Sequence, residues 1–208
     1  MNDDKVIIIG LVILLVTFGS IIFAINTQKE PVATENPEIR LYKDYVFVKQ
    51  NNGWETEMEI SDKLKGWTRT YTFLFHYTPD EVEYIPAMKN VRNETVTPNL
   101  FLDAQKIYIT TDPEYPAAVI LGGFEISKVL GNVYEKEVKG AVTRPDNRTD
   151  SPVITCRNMT MTERVILLNL DEPTSIYSDK GCIVVQGTNE TELLKAATRL
   201  TYELLKVL

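Results

Sequence analysis

Histidine is nearly missing from this chain and cysteine is scarce: 208 residues hold one His, His76, and two Cys, Cys156 and Cys182. Structural zinc sites need several His or Cys at short spacings, and here there is neither a C-x-x-C pair nor a second imidazole. A nucleophile–His–acid relay would have to run through His76. That residue lies in an aromatic-rich stretch beside Thr and Leu, where a structural role is the simpler reading. G-x-S-x-G, H-E-x-x-H, D-x-D-x-D-G, G-x-G-x-x-G and G-K-S/T are all absent. No sequence rule therefore selects a catalytic, cofactor-binding or metal-binding residue.

Positive charge is also short, with 22 Lys and Arg against 29 Asp and Glu and a net charge of −7. Residues 41–208 hold 19 basic and 24 acidic residues, a net of −5. Such a domain has no electrostatic footprint for nucleic acid. It also has none for an anionic membrane surface.

What the sequence does have is a long apolar run, Val6 to Ile25, twenty residues without a charge. At about 1.5 Å per residue, a helix of this length matches the roughly 30 Å hydrocarbon core of a bilayer. A cleavable signal peptide has a shorter apolar core and a small-x-small cleavage site, whereas Phe23-Ala24-Ile25-Asn26 is a poor one. A buried helix of a globular protein would carry a polar stripe, but only Thr17 and Ser20 interrupt this run. The expectation is an uncleaved anchor: a cytoplasmic tail at 1–5, a transmembrane helix at 6–25, a stalk at 26–40 holding Pro31 and Pro37, and one domain at 41–208. Flanking Lys and Arg are too evenly divided to orient it. Cysteines and glycosylation sequons beyond the run favour a domain on the outside.

Within that domain the pattern is α+β. Leu41–Lys49, Trp54–Ile60 and Gly66–Tyr77 read as three strands of a meander. Glu55, Glu57 and Glu59 form one face of the second, with Trp54, Thr56, Met58 and Ile60 on the other. The acidic ladder reads as a solvated face, with cation binding as its alternative. Thr78 to Glu81 is a capping-box pattern that opens a short helix near Pro79–Tyr84. Lys106–Thr111, a helix entered after Asp112-Pro113 and ending at Leu130, and Val133–Val142 read as a β-α-β unit. Gly131 is the expected left-handed helix cap. The helix looks apolar on all sides and hence buried. Its Gly122-Gly123 pair fits close packing, not a phosphate loop. Pro152–Cys156 and Arg164–Leu170 read as strands, the second central. Thr174–Gln186 reads as a hairpin. A final helix carries Leu193, Ala197, Leu200 and Leu204 on one stripe, with Arg199 and Glu203 paired on the outside.

Cys156 and Cys182 fall in strands flanking the central one. In an exported domain they pair; otherwise they are two buried thiols. Four N-x-T sequons, at Asn93, Asn147, Asn158 and Asn189, lie in or beside loops and suit glycosylation of an exported domain. Asn189 also reads as a helix cap, in conflict with a glycan on the same side chain.

The pattern KIYITTDPEYPAAVILGGFEISKVLG, then SPVITCRN, then GCIVVQGTNETELLKAATRLTYELL, resembles single-pass archaeal cell-envelope proteins with an extracytoplasmic α+β domain. The likeness runs from Lys106 on, about half of the chain, and carries over no functional residue. It implies an outside-facing domain with the two cysteines in corresponding strands.

The reading that follows is a membrane-tethered extracytoplasmic binding or assembly module, non-enzymatic, without a cofactor, with protein partners in the envelope or membrane. A surface hydrolase using carboxylates and His76 is the alternative. The long Pro-broken segment Ile85–Leu100 is the expected partner surface, through Met88, Lys89, Val91, Arg92 and Leu100.

Overall fold

The computed structural model describes residues 38–62, 66–87 and 104–208. The tail, the apolar run and the stalk up to Pro37 lie outside the described residues, as do Met88, Lys89, Val91, Arg92, Asn93 and Leu100 of the expected partner loop. Among the described residues no helix is long and apolar enough to cross a membrane.

The first sheet is an antiparallel meander in the order β1-β2-β3-β4, with β1 at Ile39–Tyr42, β2 at Tyr45–Gln50, β3 at Gly53–Asp62 and β4 at Trp67–Phe75. It has four strands where three were expected. Lys43 takes a left-handed conformation (φ 50°) beside Asp44, and this turn splits the first stretch into a hairpin. β1 also begins at Ile39, inside the stretch read as stalk. The period-2 alternation on β3 holds: Trp54, Thr56 and Met58 are buried, while Glu55, Glu57 and Glu59 are exposed.

After Phe75 the chain makes a single 3-10 turn at Pro79–Glu81, shorter than the helix expected there. The carboxylate of Glu81 accepts the Thr78 N–H at 2.8 Å, as a capping box requires. The opening of the supposed loop is anchored: Ile85 is buried, and the carbonyl of Pro86 accepts the N–H of Ile176 at 2.8 Å.

The second sheet contains β5 (Lys106–Thr111), β6 (Glu137–Val142), β7 (Glu163–Leu170), β8 (Ser175–Asp179) and β9 (Cys182–Gly187), in the order β6-β5-β7-β9-β8. β7 is central, as its apolar run implies. β6, β5, β7 and β9 are parallel, and β8 pairs antiparallel at one edge. The expected strand at Pro152–Cys156 does not form. Val153 makes only an isolated bridge to Val142, and Cys156–Asn158 is a 3-10 turn. Asn158 Oδ1 accepts the Thr155 N–H at 2.8 Å and its hydroxyl at 2.9 Å, so a side chain takes over from the strand ladder.

Two helices lie against this sheet. α1 spans Val119–Asn132 and α2 spans Glu190–Leu204. α1 starts later than expected because Asp112 caps a turn instead, accepting the Glu114 N–H at 2.9 Å. Gly131 is inside α1, and the left-handed residue after the helix is Glu135 (φ 54°). A Cβ on Gly122 would lie 3.0 Å from Leu193 and 3.1 Å from Ala197 of α2. A Cβ on Gly123 would lie 3.4 Å from Ile109 and 3.5 Å from Leu168 of the sheet. The glycine pair thus serves two contacts, one with the neighbouring helix and one with the sheet.

The meander packs on the other side of the helices. Tyr202 of α2 meets Phe75 at a ring separation of 4.7 Å and Phe47 at 6.2 Å, and its hydroxyl donates to the Tyr77 carbonyl at 2.7 Å. One continuous core joins both sheets and both helices. α2 is therefore enclosed between layers, and every residue from Leu193 to Leu204 except Lys195 is buried.

Candidate functional site

Glu125 is the one acidic residue of α1 and its side chain is fully buried. It sits where the end of the meander, α1 and α2 meet. Its Oε1 accepts the backbone N–H of His76 at 2.9 Å, lies 3.0 Å from His76 Nδ1, and lies 3.1 Å from the Thr198 hydroxyl. Its Oε2 accepts from Lys128 Nζ at 3.3 Å. Burial pushes the Glu125 pKa up. The two hydrogen bonds from His76 and the Lys128 charge outweigh this and hold the carboxyl below its ordinary value.

An ionised carboxylate only accepts hydrogen bonds, so His76 Nδ1 must carry the proton that faces it. Neutral His76 is then held as the Nδ1–H tautomer, with Nε2 as an acceptor. This is the orientation a carboxylate gives a general base. The hydroxyl in reach does not complete a relay. Thr198 Oγ1 lies 3.1 Å from Glu125 and 3.0 Å from the Leu194 carbonyl, so its one proton goes to an acid or a backbone oxygen. A nucleophilic hydroxyl would instead donate to the imidazole. The structural work of the cluster is plain: one carboxylate ties the end of the meander to both helices.

A second buried pair corrects the sequence reading. Arg199 and Glu203 are ion-paired as expected, but they are 8% and 3% exposed, not on the outside. Spacing at i,i+4 identifies the pair. It cannot reveal that the meander covers it. Arg199 Nε and Nη1 are buried without a hydrogen-bond partner.

The apolar side of α1 is also reversed in part. Ile120, Leu121 and Phe124 are 49%, 42% and 59% exposed, with Pro116, Ala117 and Ala118 exposed just before them. Glu114 is the only charged residue from Pro113 to Phe124. The all-round apolar pattern predicts full burial, yet this face of the helix is open.

Cys156 and Cys182 form a disulfide with a Cα separation of 5.3 Å. Cys182 opens β9, next to the central strand as expected, whereas Cys156 lies in the 3-10 turn instead of a strand. Asn147, Asn158 and Asn189 are all exposed. Asn189 is the α2 cap, its Oδ1 accepting the Glu192 N–H at 3.0 Å. A glycan attaches through Nδ2 and leaves Oδ1 free to accept, so capping and glycosylation conflict less than the sequence suggested. Among the described residues no three His, Cys, Asp or Glu side chains converge as a metal site. No family model matches the chain, and no curated protein or solved structure matches it.

Proposed function

We propose that this chain is a membrane-tethered extracytoplasmic module that binds a protein partner in the envelope or membrane, and that it is not an enzyme. The apolar run at Val6–Ile25 has the length and composition of an anchor. The disulfide and the exposed sequons suit an oxidising, exported setting. The likeness to archaeal single-pass envelope proteins points the same way.

The observation that carries the binding function is the open face of α1. Ile120, Leu121 and Phe124 stand together on one helix, with no charge between them. Contiguous apolar patches on folded domains mark interaction sites more than isolated exposed residues do. Photo-crosslinking from position 124 in native membranes tests this reading. A discrete adduct from position 124, and none from position 57 on the acidic face, is the expected result. Equal labelling from both positions would contradict it.

A surface hydrolase is the second reading, favoured by the 3.0 Å approach of His76 Nδ1 to the ionised Glu125. In that case His76 acts as base toward a water or substrate hydroxyl, and His76→Ala abolishes hydrolysis while the fold survives. On the binding reading, the same change leaves partner capture intact.

A further inference from the structure

The two cysteines bring two cations together on an acidic protein. Arg157 follows Cys156 directly, and Lys180 stands two residues before Cys182. The Cys156–Cys182 bond therefore draws the Arg157 turn onto the Lys180 hairpin. Both cations line one cleft of about 350 Å³, together with Thr143, Thr155, Asp179 and Leu167. The cleft opens on the face of the second sheet away from the helices. Cys182 points there because Ile183, its neighbour on β9, belongs to the core beneath the helices, and successive strand residues face opposite ways.

The charges in the cleft do not balance. Among the described residues Asp179 is its only carboxylate, and it reaches Lys180 Nζ at 3.7 Å with both side chains mostly exposed. Among the described residues the Arg157 guanidinium makes no ion pair. Lys180 holds a left-handed backbone (φ 49°) ahead of Gly181 (φ 88°), which suits the two-residue hairpin turn but strains a Lys. The cleft thus carries two cations against one carboxylate, a positive spot on an acidic protein. An Arg fork beside a Lys point charge is the donor set that recognises a carboxylate or phosphate group, with Thr143 on the same wall; the Thr155 hydroxyl is already given to Asn158.

We propose that this cleft binds a small oxyanion, carried on a ligand whose apolar part rests on Leu167 and the disulfide. Arg157 and Lys180 hold the anion, and Asp179 competes with it for Lys180. This site is separate from the α1 face and does not depend on the reading of that face.

The test is an amide chemical-shift titration of the disulfide-bonded protein with inorganic phosphate and, separately, with acetate. Sodium chloride at matched ionic strength is the reference. Saturable shifts around Arg157 and Lys180 are expected with at least one of the two anions. The anion that saturates at the lower concentration identifies the group the cleft prefers. R157A/K180A weakens binding at least tenfold, R157Q weakens it severalfold, and D179N tightens it. Unchanged amide positions on α2 show that each variant is folded. Shifts that follow ionic strength alone, or saturable shifts retained by the double variant, would overturn the proposal.

Discussion

Glu125 Oε1 binds His76 twice, through the backbone N–H at 2.9 Å and through Nδ1 at 3.0 Å. A single buried carboxylate thereby satisfies the last turn of the meander from a helix in the next layer. Removing its charge should loosen the contact between layers without touching either sheet.

Glu125→Gln is expected to destabilise the domain by about 2–3 kcal/mol, the scale of losing charge-assisted hydrogen bonds at a buried group. The carboxyl's pKa lies below its ordinary value in the fold. Its contribution is therefore complete above the unfolded value of about 4.3 and is lost as pH falls through the lower folded value. Urea melts between pH 7 and pH 3 check the sign. The gap between wild type and Glu125→Gln should narrow only at the acid end.

Gly122 and Gly123 separate by the same method. Both gain roughly 1 kcal/mol of helix propensity on change to Ala. The Cβ added at 123 meets Ile109 and Leu168 at 3.4 and 3.5 Å, ordinary contact, so Gly123→Ala should raise Tm. At 122 it meets Leu193 and Ala197 at 3.0 and 3.1 Å, and the packed Ala197 has little room to yield. Gly122→Ala should therefore lower Tm, and Gly122→Val should lower it further.

Arg199 and Glu203 form a pair enclosed by the meander. Breaking it from one side leaves a buried charge, so Glu203→Gln or Arg199→Met alone should cost about 3–5 kcal/mol. Replacing both with apolar residues should cost far less. A double-mutant cycle by chemical denaturation reads the difference directly. Additive losses would mean the two charges are independently solvated.

Reducing Cys156–Cys182 opens a loop with a sequence separation of 26 residues. In the loop-entropy model that is worth about 3.5 kcal/mol. The urea midpoint should fall accordingly in the double Cys→Ser variant. A shift under about 0.5 kcal/mol would mean the 145–158 segment is held by other contacts.

Much of this architecture could be read in the residues themselves. Alternation on β3, the apolar β7, the β-α-β unit and the Asn189 cap all follow from local pattern, and each is present, although the helix of the unit starts only at Val119 and its second strand only at Glu137 instead of Val133. What escaped depends on neighbours distant in sequence. An Arg–Glu pair at i,i+4 looks solvated until Tyr202 brings the meander over α2. A helix that is apolar all round looks buried, yet among the described residues no layer covers the face of Ile120, Leu121 and Phe124. Glu125 had a local signal, a lone acid among apolar residues with Lys128 three positions on. The partners that make it a junction, His76 and Thr198, come from elements 49 and 73 residues away. The cation cleft escaped because Arg157 and Lys180 lie 23 residues apart in sequence, and only the folded turn, the hairpin and the disulfide set them on one wall.

The central claim is that an anchored domain captures a protein through α1, and it is tested most directly by co-purification from native membranes of the organism that makes it. The full chain would be compared with an Ile120→Ser/Phe124→Ser variant. Both changed positions are exposed, so the fold should survive, as circular dichroism would verify. The expected result is that the full chain retains one reproducible membrane protein and the variant retains at least tenfold less. Equal recovery with both chains would contradict the account.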